Sequence, residues 1–68
     1  MKAISGKRLC RLLEAQGWVL KRIAGSHHVY AKAGNPARIS VPVHGPMVLK
    51  LGLQRHLMKL ADIDESEL

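Results

Sequence analysis

Hydrophobic positions change period along this chain, and each change marks an element. Between Ser5 and Gly17, Leu9, Leu12, Leu13 and Gln16 recur at i, i+3, i+4 and i+7, the spacing of one helical face. Ser5 is suited to the N-cap and Gly17 to the stop, which predicts a helix from about Gly6 to Gln16. Trp18 to Ile23 is rich in β-branched and aromatic residues and predicts a first strand, closed by Ala24-Gly25-Ser26. His27 to Lys32 predicts a second, Ala33-Gly34-Asn35-Pro36 a turn, and Ala37 to Val43, with Ile39, Val41 and Val43 alternating, a third. Pro42 has no N–H to donate, so it belongs at a sheet edge or past the last pairing. After the His44-Gly45-Pro46 loop, Leu53, Leu57 and Leu60 form a stripe that predicts a second helix over about Lys50 to Leu60. Gly52 then falls in its first turn or serves a close approach, and the acidic tail from Asp62 forms a short extra turn or a frayed end.

This order predicts a single α+β domain over residues 1–68, α-β-β-β-α, with two helices on one face of a three-stranded antiparallel sheet. The other face is left uncovered. Alternation in the second strand sets His27, Val29 and Ala31 against His28, Tyr30 and Lys32. Tyr30 has the larger apolar body, so its side is assigned to the core and His27 to the open face, beside the Gly25-Ser26 turn. The opposite parity, with Val29 inward, is the competing assignment.

Charge adds a partner class. The formal net charge is +6, but four of the five acids (Asp62, Asp64, Glu65 and Glu67) lie in the tail. Before Asp62, eleven Lys and Arg residues face Glu14 alone, a balance of +10. Such a body attracts polyanions, nucleic acid first among them; a basic surface that serves only solubility is the plainer reading of the same count. Cys10 has no disulfide partner, and the N-terminal residues offer no apolar run suited to a signal peptide or a membrane span. A soluble cytoplasmic protein is expected.

The landmarks Gly25-Ser26-His27-His28-Val29-Tyr30, Val41-Pro42-Val43-His44 and Leu49-Lys50-Leu51-Gly52 stand at element boundaries, in order, along nearly the whole chain. They resemble the GSHxxY, VPxH and LKxG motifs of the HicA (YcfA-type) toxins, whose opening helix likewise ends at a Gly followed by an aromatic, here Gly17-Trp18. The resemblance implies a fold like the double-stranded RNA-binding domain, mRNA interferase activity, neutralisation by a HicB-like antitoxin, and catalysis by the histidine of the first motif, His27. Two departures stand out. Leu53 follows Gly52 where the family often has Thr, which removes a hydroxyl from the start of the second helix. Only Lys50 and Arg55 stand where duplex-binding domains carry a lysine cluster, which favours cleavage of a single strand over simple duplex binding.

The chemistry is arguable apart from the family. RNA carries its own nucleophile, the 2′-OH, so a ribonuclease needs a group that moves a proton and cations that hold the phosphoryl oxygens. A free imidazole, with a pKa of about 6.5, offers both protonation forms near neutrality. His27 is the candidate acid or base, Ser26 with the turn amides a phosphate contact, and Lys7, Arg11, Lys21 and Arg22 candidate RNA-binding cations. An idle turn histidine is the bland reading of His27. His28 is read as a packing residue, His44 as a loop residue or a second proton carrier, His56 as a surface residue, and Cys10 as an apolar filler. No paired ligands at zinc-binding spacing and no phosphate-cradling glycine loop occur, so neither a metal nor a small-molecule cofactor is expected. Two function classes remain: a metal-independent endoribonuclease toxin, or a non-catalytic RNA-binding or translation-blocking module.

Overall fold

A computed structural model describes residues 1–68 as α1 (Gly6–Ala15), β1 (Val19–Ala24), β2 (His27–Lys32), β3 (Asn35–Pro42), α2 (Leu51–Ala61) and a 3₁₀ turn, Glu65–Glu67. The predicted α-β-β-β-α order is the observed one. The antiparallel sheet has the order β1-β2-β3, so β3 is an edge strand and carries Pro36 and Pro42 without loss of an interior ladder bond. The Ser5 hydroxyl caps α1 by accepting from the Arg8 N–H at 3.1 Å, and Gln16 is the C-cap rather than the last helical residue.

The core is one aliphatic cluster between the helices and one sheet face. Leu9, Cys10 and Leu13 from α1 and Leu57, Met58 and Ala61 from α2 enclose Tyr30, Ile39 and Val41. Tyr30 is 1% exposed and His27 exposed, which settles the parity of β2 in favour of Tyr30 inward. Trp18, expected to open β1, instead lies in the core, with the Lys32 ammonium 5.9 Å from its ring centroid. Both aromatic rings are thus buried.

The buried stripe of α2 is rotated from the one its leucines predict. Leu53 and Leu60 are 38% and 39% exposed, while Gln54, Leu57, Met58 and Ala61 face inward. The reason is a polar contact that hydrophobic periodicity cannot register. Gln54, 0% exposed, accepts from the Ile4 N–H at 2.9 Å and donates to the Lys2 carbonyl at 2.7 Å. It thereby fastens the N-terminal segment, which also bonds Leu49 through Ile4 and bridges Val48 through Ser5. Gly52 lies in the first turn of α2, and a Cβ there would meet nothing within 4 Å.

The acidic tail is an ordered turn. Asp64 and Glu67 form a capping box, Gln16 donates to the Glu67 carboxylate, and Glu65 pairs with the N-terminal ammonium at 3.1 Å. No helix is long and apolar enough to cross a membrane.

Candidate functional site

The open sheet face is built around the β1–β2 hairpin. Ala24 pairs with His27, leaving Gly25-Ser26 as the whole connection. Gly25 has φ +61° and Ser26 does not share the positive φ, the pattern of a type II′ turn, which glycine favours at its first central position. This turn fixes His27 as the first residue of β2. The ladder is extended past Pro42 by the Val43 N–H, which donates to the Ser26 carbonyl at 2.7 Å and so holds the 43–46 loop against the turn.

Register then decides which side chains share the face. His27 is opposite Pro42, Val29 is opposite Ser40 and Arg22, and Ala31 is opposite Arg38 and Val19. The Nδ1 of His27 lies 3.2 Å from the Ser40 hydroxyl, and its Nε2 has no hydrogen-bond partner in the protein. Ser26 turns to a different imidazole, with its hydroxyl 3.4 Å from His44 Nε2. The two histidine–serine pairs thus stand at one end of the sheet.

Cations continue along the same face. A bulge between Leu20 and Arg22 leaves Lys21 outside the ladder and re-aims it. Lys21 and Arg38 line a shallow hollow floored by Ala31 and flanked by Val19 and Pro36. Arg22 is on this face by its pairing with Val29. Lys7 and Arg11 lie elsewhere: on α1 they border hollows shared with His28, one of them closed by Tyr30 and Glu14. The predicted site residues therefore fall into a sheet-face set (Ser26, His27, Lys21, Arg22) and a helix-side set (Lys7, Arg11). Ser40 and Arg38 escaped the sequence reading. Alternation about Ile39 and Val41 was the available signal, since it turns both residues away from the core.

The remaining candidates behave as packing and surface groups. His28 is half-buried on the helix side, and His56 is exposed on α2. Burial pushes the Cys10 thiol up from its ordinary pKa, a hydrogen bond with Tyr30 opposes that, and Glu14 adds to it. Tyr30 donates to the Glu14 carboxylate at 2.6 Å; burial first, then that bond, holds its phenol protonated far above the usual range. No three His, Cys, Asp or Glu side chains come together as a metal-binding group.

Residues 6–63 match the family model described as the HicA toxin of bacterial toxin–antitoxin systems. No curated protein sequence matches the chain.

Proposed function

Since the chain belongs to the HicA toxin family of bacterial toxin–antitoxin systems, we propose that it is a metal-independent endoribonuclease that cleaves mRNA with His27 as its proton-transfer group. The observation that carries this reading is the exposed His27 ring on the uncovered sheet face, anchored at Nδ1 and unpartnered at Nε2. A strand of RNA along that face brings a 2′-OH to Nε2, which takes its proton as the 2′-oxygen attacks the adjacent phosphorus. The bond to the 5′-oxygen breaks, that oxygen takes a proton from water, and His27 returns its own to solvent. The products are a 2′,3′-cyclic phosphate and a 5′-OH.

The cations have the matching task. Lys21 and Arg22, with Arg38, meet backbone phosphates along the face, and Ser26 with the turn amides meets one beside His27. Lys7 and Arg11 extend the positive field on the helix side. A toxin of this class works against an antitoxin; a HicB-like chain of acidic character suits the +10 balance of the body, and mRNA as substrate puts the work in the cytoplasm.

The test is incubation of purified protein with mRNA in excess EDTA, beside His27→Ala. Cleavage by the parent alone supports the proposal. Binding by both proteins with cleavage by neither supports the non-catalytic module, and activity abolished by EDTA overturns the metal-independent chemistry.

A further inference from the structure

We infer that Ser40 is a positioning residue for His27, its hydroxyl accepting the Nδ1–H and so committing Nε2 to proton exchange with RNA. The inference rests on the ribonuclease reading for its catalytic consequence, but its geometric half stands alone. Ser40 Oγ is 3.2 Å from Nδ1, and no other protein group hydrogen-bonds the ring. Ser26, the nearer hydroxyl in sequence, instead faces His44, 3.4 Å from its Nε2.

The contact is fixed by backbone. Ser40 is paired with Val29 and His27 with Pro42, so the two side chains meet on one diagonal of the β2–β3 ladder. Ile39 and Val41, on either side of Ser40, are both 0% exposed, so the core holds β3 in register while the hydroxyl faces outward.

Proton bookkeeping selects the direction of the bond. A serine hydroxyl can donate or accept. When it donates to Nδ1, the neutral ring carries its hydrogen on Nε2 and has no lone pair to offer a 2′-OH. When it accepts, Nδ1–H is present both in the neutral base, whose Nε2 is then free, and in the imidazolium formed after proton transfer. An accepting Ser40 therefore satisfies Nδ1 before and after the step without moving.

Ser40 is exposed, so its truncation opens no cavity and leaves no buried orphan. Ser40→Ala and Ser40→Thr are therefore compared with the parent by thermal melting, by nitrogen-resolved NMR of the His27 ring at a pH where it is neutral, and by steady-state cleavage of a short single-stranded RNA. The parent is expected to carry its hydrogen mainly on Nδ1. Ser40→Ala is expected to revert toward the Nε2–H form that free imidazole side chains prefer, with kcat down about tenfold and KM unchanged. Ser40→Thr, which keeps the hydroxyl, is expected to restore both. An unchanged tautomer in Ser40→Ala overturns the inference, as does parental kcat in that variant. Cleavage by neither the parent nor any variant would instead sink the ribonuclease reading, and parental cleavage by His27→Ala would remove His27 from it, while the tautomer measurement, made without RNA, still judges Ser40.

Discussion

Gln54 and Ile4, fifty positions apart in sequence, are joined by a 2.9 Å hydrogen bond from the Ile4 N–H to the Gln54 side-chain oxygen. Because the same amide donates to the Lys2 carbonyl, one buried side chain closes the N-terminal segment onto α2. Gln54→Ala removes both partners and strands the Ile4 N–H in the core, which costs ~2 kcal/mol and lowers Tm by ~10 °C in a domain of this size. Thermal unfolding followed by circular dichroism measures it. A shift under 2 °C would show that water replaces the amide without loss.

That contact also marks where the sequence stops being readable. The Ser5 cap, the Gly25-Ser26 turn and the Ile39/Val41 alternation are local signals, and each corresponds to an observed element. The facing of α2 is not local: three leucines outvoted a glutamine whose partners lie at the far end of the chain. The site was legible in the same proportion. His27 at the hairpin corner follows from the turn and from Tyr30 being the larger core body. Its contact with Ser40 follows from the β2–β3 register, and the aim of Lys21 follows from a bulge in β1; hydrophobic alternation specifies neither.

Gly6 stands where α1 passes closest to β3. A Cβ at this position would lie 2.0 Å from the Pro42 carbonyl oxygen and 3.3 Å from Val43 Cα, both backbone atoms. Alanine normally favours a helix over glycine by ~1 kcal/mol, but overpacking against backbone costs ~1–3 kcal/mol. At 2.0 Å the second effect wins, so Gly6→Ala is expected to destabilise by ~1–2 kcal/mol net. Urea unfolding checks it, and a variant more stable than the parent would refute it.

Tyr30 gives the fold an alkaline limit. Its phenol is held protonated by burial and by donation to Glu14, so the folded pKa lies above the unfolded value. For an acid shifted in this direction, the stabilisation is complete below the unfolded pKa of about 10 and is lost as pH rises above it. Tyr30→Phe is expected to cost ~1 kcal/mol at pH 7 through the lost hydrogen bond. It should also flatten the fall in stability above about pH 10, relative to the parent. Parallel pH–stability curves for the two proteins would disprove the assignment.

Cys10 should be inert while the protein is folded. Burial raises its thiol pKa, and the thiolate is the form that reacts with alkylating reagents. Mass spectrometry after treatment with iodoacetamide at pH 7 is expected to find the native protein unmodified and the urea-unfolded protein fully modified. Rapid labelling of the native state would mean that α1 opens locally far more often than its buried face implies.

Arg38 and Lys21 border one hollow on the sheet face that carries His27, whereas Arg55 belongs to the exposed side of α2, beside Met1 and Glu65. If RNA follows the sheet, neutralising phosphates releases counterions, and each lost contact reduces the slope of log affinity against log salt by ~0.7 for a single strand. Arg38→Ala and Lys21→Ala are each expected to flatten that slope by about this amount in His27→Ala protein, where the RNA stays intact during titration. Arg55→Ala serves as the control for net charge alone and is expected to leave the slope within error of the parent. Fluorescence anisotropy with a labelled single-stranded RNA at several salt concentrations makes the comparison. Equal loss from all three substitutions would mean that the RNA responds to the overall positive field and does not track the sheet; loss from Arg55→Ala alone would move the interface to α2.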